Sequence, residues 1–120
     1  MNMKIIYKTR KVEKQCLDNK YAIKMFGKDI ATRLIQIIGY IDSMNNFYDL
    51  YSLPQFNLHP LTGNRKNQYA FVIHKKSKWR LIIQPLSDEG EILENCDKEK
   101  EQLINCVIVI ILEVSEHYGK

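Results

Sequence analysis

A change of hydrophobic period near Asn45 constrains the fold of this chain more than any other feature of its sequence. Before that point, apolar residues from Ile23 to Met44 recur at steps of three and four positions, which places them on one face of a helix. After it, apolar and polar residues alternate, as they do in strands with one buried face. The pattern predicts an α+β domain in which helices precede a sheet.

The predicted elements are a strand over 3–7, a helix over 10–17 with Thr9 as its N-cap, a helix over 21–44, and strands over 56–58, 68–74, 79–84 and 107–114. Gly27 and Gly39 are expected inside the long helix, and Pro85 is expected to end a strand. The last strand is apolar on both faces, so we expect it to be central and covered on both sides. The predicted arrangement is a single domain over residues 1–120, with two N-terminal helices packed on one face of a small, mainly antiparallel sheet.

Cysteine usage and the apolar runs indicate the compartment. The three cysteines are odd in number and show no CxxC spacing, which supports neither a disulfide framework nor a zinc site. Charged residues precede any apolar run at the N-terminus, and the longest apolar run, 107–112, is far shorter than a membrane span. We therefore expect a cytoplasmic protein with reduced thiols, no metal, no cofactor and no membrane segment.

Charge is divided unevenly along the chain, which has 18 Lys and Arg residues against 14 Asp and Glu residues and a net charge of +4. Residues 86–106 hold seven acids and two bases, a net charge of −5, so the other residues together carry +9. We interpret this acidic segment as an insertion, a loop that includes about one helical turn. Between Leu50 and Ser87 there are six bases and no acid, which favours a surface that faces phosphate groups. The alternative is that lysines in hairpin turns are simply solvated.

One part of this acid-free window suggests a family. The run LHPLTGNRK over 58–66, followed by QYAF over 68–71, resembles the signature of the RelE/ParE superfamily of toxins. The closest likeness is to its HigB-like branch, the plasmid maintenance system killer proteins. The stretches 7–16, 79–82 and 111–120 are similar as well, so the resemblance covers nearly the whole chain except the acidic segment. It implies a RelE-like, microbial RNase-like toxin fold.

The resemblance also implies a function. Toxins of this branch belong to type II toxin–antitoxin systems, cleave mRNA on the translating ribosome and are neutralised by a cognate antitoxin. Here that antitoxin should be encoded separately, because no helix-turn-helix segment is evident. The residues that correspond to those associated with activity are His59, Arg80, His117 and Tyr118. The chain departs from the family pattern at Thr62, where many relatives carry lysine, and in the His-Tyr order of its terminal pair.

The residue types suit this chemistry. Cleavage of RNA by its own 2′-hydroxyl needs a group that takes the hydroxyl proton, positive charge on the phosphorane, and an acid for the leaving 5′-oxygen. We expect Arg80 to stabilise the phosphate and His117 to act as general acid or base, with Tyr118 and His59 assisting. RNA contacts are expected from Arg65, Lys66, Lys75, Lys76 and Lys78.

Alternatives remain open for single residues and for the function. His59 could instead shape the turn before Pro60, and Arg80 could form an ion pair with Glu113 or Glu116. A ParE-like toxin would poison DNA gyrase without nuclease chemistry, and an inactive relative would only bind nucleic acid. The presence of His59, Arg80, His117 and Tyr118 favours the nuclease, because a gyrase poison would not need these residues.

Overall fold

Three helices follow the first strand in the computed structural model, which describes residues 2–96 and 100–116. The strands are β1 (Lys4–Tyr7), β2 (His59–Pro60), β3 (Tyr69–Val72), β4 (Arg80–Leu86) and β5 (Ile108–Ser115). The helices are α1 (Arg10–Leu17), α2 (Asn19–Phe26), α3 (Lys28–Ser43) and α4 (Lys100–Ile104). Short 3-10 turns occupy Phe47–Ser52, Pro54–Phe56 and Gly63–Arg65. The predicted α+β class is confirmed.

Local capping explains where the first helices begin. The Thr9 hydroxyl accepts a hydrogen bond from the Val12 N–H at 3.1 Å, as expected, and Asp18 caps α2 in the same way. The predicted single helix over 21–44 is wrong, because Gly27 adopts φ +87°, outside the helical region, and separates α2 from α3. Gly39 does lie inside α3. Among the described residues, no helix is long and apolar enough to cross a membrane.

The five strands form one mixed sheet in the order β1-β5-β4-β3-β2. β1 runs parallel to β5, and the other three pairings are antiparallel. β5 is therefore a central strand, as predicted. The expectation that both faces of β5 are covered is wrong. Val109 and Ile111 are buried on the helical side, whereas Ile108 and Ile110 on the other side are only half-buried. A register shift between Ile82 and Ile83 marks a bulge against β5.

The hydrophobic core lies between the helices and one face of the sheet. It includes Leu34, Ile37 and Ile41 from α3 and Phe71, Leu81, Ile83 and Ile111 from the strands. Ile23, the first residue of the predicted apolar stripe, is 37% exposed, because the chain turns at Gly27 and α2 does not continue the buried face of α3. Met44, at the other end of that stripe, is half-buried against the core.

The other predicted strands begin and end within two residues of the observed bounds, but two differences have a clear local cause. The predicted strand over 56–58 is wrong, since a 3-10 turn ends at Phe56 and pairing begins only at His59. Pro85 lies inside β4, opposite Val109, instead of ending the strand. Pairing of β4 with β3 stops at Ile83, so the missing N–H of Pro85 costs no hydrogen bond on that side.

The acidic segment over 86–106 is not an insertion outside the fold. Its first residue, Leu86, belongs to β4, and Cys96, Leu103 and Cys106 are each no more than 3% exposed in the core. The Cys106 carbonyl also accepts a hydrogen bond from the Phe47 N–H at 2.9 Å. The expected helical turn is present as α4, but the interpretation as an insertion is wrong, because the segment helps to build the core.

Candidate nucleic-acid interface

The sheet face opposite the helices carries two of the residues singled out by the sequence. His59 pairs with Ala70, and Ala70 with Ile82, while Arg80 pairs with Val72 in the next row of the same face. Residues paired across strands point to the same side of a sheet. His59 and Arg80 are therefore on one face, two strands and two residues apart, with their Cα atoms about 12 Å from each other.

Arg80 is held at the start of β4. Its Nη1 donates to the carbonyl oxygens of Ser77 and Trp79, both at 3.0 Å. The neighbouring Trp79 ring turns to the helical side, where it packs edge-on against Phe26 with centroids 4.7 Å apart. The strand register places the Arg80 side chain on the other face, away from the helices.

Arg65 reaches the same face from the 3-10 turn before β3. Its Nη2 forms an ion pair of 2.7 Å with Glu113 of β5, and its Nη1 donates to Gln68 at 2.9 Å. Glu113 lies opposite Ile82 in the row that contains His59. The acid considered as a partner for Arg80 thus pairs with Arg65, and it neutralises part of the positive charge expected on this face.

His59 has a defined hydrogen bond at the turn into β2. Its Nδ1 donates to the Asn57 carbonyl at 2.8 Å, which requires the proton on Nδ1 and makes Nε2 an acceptor in the neutral ring. Asn57 has a left-handed conformation with φ +41°, so the imidazole also stabilises a tight backbone turn. The shaping of this turn, weighed above as an alternative to catalysis, is a role that His59 has in the structure.

The remaining expected residues fall into two groups. Lys66, Lys75, Lys76 and Lys78 are all exposed, the last three on the hairpin between β3 and β4. His117 and Tyr118 lie outside the described residues, so their roles stay predictions.

His74 has a side chain that is 21% exposed and connects the hairpin to α3. Its Nδ1 accepts from the Lys76 N–H at 3.0 Å, and its Nε2 is 3.9 Å from the Asp29 carboxylate.

The cysteines do not belong to this face. All three are buried, and burial raises the pKa of the Cys16 thiol to about 12, so that it remains protonated at neutral pH. Cys16 is thus a small core residue. No cluster of three or more His, Cys, Asp or Glu side chains within residues 2–96 and 100–116 could hold a metal ion.

The sequence reasoning missed one aromatic site. Tyr48 and Tyr51 come together beside the edge strand β2, with ring centroids 5.7 Å apart, in a cavity that Lys100 also lines. Their spacing of three is the repeat of a 3-10 helix, and this was the available signal.

No protein-family model matches the chain, and a search among curated proteins gives no match. The assignment to the RelE/ParE superfamily therefore depends on the quoted motifs and stays a prediction.

Proposed function

We propose that this protein is the toxin of a type II toxin–antitoxin system and a metal-independent endoribonuclease that cleaves mRNA on the ribosome and inhibits translation. The observation that carries the proposal is the strand register, which aligns His59, Arg80 and the Arg65–Glu113 pair on the sheet face away from the helices. A histidine and two arginines on one face are the residue types that phosphoryl transfer to a 2′-hydroxyl requires.

Arg80 stabilises the pentacoordinate phosphorane in this mechanism. Its planar guanidinium can donate two parallel hydrogen bonds to phosphate oxygens, which the point charge of lysine reproduces poorly. The Ser77 and Trp79 carbonyls already orient the side chain, so less conformational freedom is lost on binding RNA.

Proton transfer is assigned to histidine. His117 acts as general acid or base with Tyr118 assisting, by correspondence with the HigB-like pattern, and His59 contributes through Nε2. A site that lacks a strong acid–base pair of its own depends on the ribosome to hold the 2′-hydroxyl in line with the phosphate. Such positioning can lower the activation barrier by several kcal/mol. Naked RNA should therefore be cut slowly or not at all.

The layered arrangement also supports the proposal. Helices on one face of a mainly antiparallel sheet agree with the RelE-like fold that the resemblance implies. In this proposal the protein acts in the cytoplasm, and a separately encoded antitoxin neutralises it.

The test is cell-free translation with purified protein, followed by mapping of new 5′ ends on the mRNA. Arg80→Ala should lower the cleavage rate about 100-fold or more, the usual cost of removing one preorganised donor to developing charge. Arg33→Ala is the matched control, because Arg33 forms an exposed ion pair with Asp29 on α3. The Arg33→Ala variant should cleave mRNA as the wild type does. His117→Ala should behave like Arg80→Ala.

Three outcomes contradict the proposal. Equal cleavage of naked and translated mRNA would exclude ribosome dependence. Full activity of both Arg80→Ala and His117→Ala would remove the proposed catalytic site. Unchanged translation together with inhibition of DNA gyrase would favour the ParE-like alternative. Should Arg80→Ala fail to fold, Arg80→Lys keeps the charge and tests the need for a planar guanidinium.

A further inference from the structure

Two adjoining cavities lie beside the edge strand β2 and share Pro60 and Cys96 in their walls. The first, here called the tyrosine lobe, has a volume of about 360 Å³ and is also lined by Tyr48, Tyr51, Lys100 and Leu103. The second, the amide lobe, has a volume of about 320 Å³ and is lined among others by Thr62, Lys66, Asn67, Gln68 and Asn95. Both volumes fall in the range of about 300–1,000 Å³ that is typical of small-molecule sites.

The tyrosine lobe has the chemistry of a base-binding pocket. The Tyr48 and Tyr51 rings are tilted by 52° and form a wedge, so that a planar group can contact the face of one ring and the edge of the other. Tyr51 is 38% exposed, which leaves part of its ring in contact with solvent. Lys100 supplies an ammonium donor at the same cavity. Guanine suits this combination best, because its O6 and N7 are two adjacent acceptors that lysine commonly recognises.

The amide lobe has both polar and apolar walls, and hydrogen bonds hold its polar residues in place. The Asn67 side-chain oxygen accepts from the Asn95 N–H at 2.9 Å, and the Asn67 carbonyl accepts from Gln84 at 3.3 Å. The exposed Lys66 offers a positive charge to a phosphate there. A phosphate beside Lys100 is less favourable, because Glu101 follows directly in the chain.

We propose that the two lobes together bind one nucleotide of single-stranded RNA, with a guanine base in the tyrosine lobe and its phosphate beside Lys66. This inference rests on the proposed function. Pro60 directly follows His59, and successive strand residues face opposite sides of a sheet, so the bound nucleotide lies across the edge strand from the proposed cleavage face. The site makes the enzyme prefer RNA with a guanosine next to the cleaved position.

The direct test is a titration of the intact wild-type protein with guanosine 5′-monophosphate, followed by the NMR signals of its tyrosine rings. Signals of Tyr48 and Tyr51 should shift, while that of Tyr40 should not. Ribose 5-phosphate, which lacks the base, should bind at least about fivefold more weakly, since stacking of one base on an aromatic ring accounts for about 5- to 150-fold in affinity.

Variants separate the contributions of the two lobes. Tyr51→Ala should weaken the binding of guanosine 5′-monophosphate about 5- to 150-fold, whereas Tyr51→Phe keeps the ring and should bind nearly as the wild type does. Tyr40→Ala is the matched control, because Tyr40 is also 38% exposed but lines neither lobe. Lys100→Gln should reduce the preference for guanosine over adenosine 5′-monophosphate.

The outcomes for this site and for the proposed function can be told apart. Shifts confined to Tyr48 and Tyr51 support the nucleotide site even if the protein cleaves no mRNA. Cleavage of mRNA without such shifts overturns the nucleotide site and leaves the nuclease intact. Equal binding of guanosine 5′-monophosphate and ribose 5-phosphate, or an equal effect of Tyr51→Ala and Tyr40→Ala, also overturns it.

Discussion

Replacing Leu103 by alanine should strongly destabilise the domain, although this leucine lies in the most acidic part of the chain. Leu103 is 1% exposed and belongs to the same core cluster as Cys96 and Phe47. Truncation of a fully buried leucine to alanine costs about 2.7–5 kcal/mol, because transfer free energy is lost and a cavity remains. That is a large part of a total free energy of unfolding of about 5–15 kcal/mol. The adjacent Ile104 is 49% exposed, so Ile104→Ala should cost less than about 0.5 kcal/mol.

Urea unfolding followed by fluorescence measures both variants. Trp79 is the single tryptophan and packs edge-on against Phe26 in the core region, so its emission reports loss of tertiary structure. With a denaturant dependence of about 1–3 kcal/mol per molar urea, a loss of about 3 kcal/mol lowers the midpoint by roughly 1–3 M. Equal midpoints for Leu103→Ala and Ile104→Ala would refute the reasoning and return the acidic segment to a dispensable loop.

Three further predictions concern backbone strain, pH and charge. Gly27→Ala should lower the free energy of unfolding by about 1 kcal/mol or more, because φ is +87° at this position. Gly39→Ala should raise it by about 0.5–1 kcal/mol, because Gly39 lies inside α3 with open space around the added Cβ. Urea unfolding of the two variants measures the difference. Burial raises the pKa of both Cys16 and Tyr7 to about 12 from ordinary values of 9.0 and 10.0. The folded protein keeps these protons at pH values where the unfolded chain releases them. The free energy of unfolding should therefore fall between about pH 9 and pH 12, by at most about 1.4 kcal/mol per pH unit for each group. Cys16→Ala should reduce that slope. Glu113→Gln removes the partner of Arg65 and should strengthen RNA binding, with a salt dependence steeper by about 0.7 log units per decade; an unchanged slope would show that Arg65 does not contact phosphate.

Features of the fold that depend on neighbouring residues could be predicted from the sequence. Helix α1 has the expected bounds because its N-cap bond joins Thr9 to Val12, three positions away. The break at Gly27 was missed because the apolar spacing continues through it, and spacing does not reveal the sign of φ. The two-residue strand β2 was misplaced because its pairing is decided by its partner β3, whose register selects His59 and Pro60.

Long-range contacts limited the prediction of the candidate site. The acid-free window predicts a basic surface, but Glu113, 48 positions beyond Arg65, is brought onto it by the β3-β4-β5 register. A sequence pattern cannot show such neutralisation, because the register depends on the whole sheet. The placement of Arg80 away from the helices could be predicted, since alternation along one strand fixes the two faces.

A hydrogen bond joins the acidic segment to the loop that carries Arg65 and Lys66, which changes the interpretation of their opposite charges. Asn67, with φ +73°, follows Lys66; its side chain accepts from Asn95 of the acidic segment, and its carbonyl accepts from Gln84 of β4. A loop that merely screened the basic face would need no such bonds and no buried Cys96 beside them. The acidic segment therefore acts first as a support that fixes Arg65 and Lys66 relative to the sheet. In the proposed function, its negative charge should lower the general affinity for RNA, so that binding would depend more on the proposed contacts of Arg80 and the two cavities.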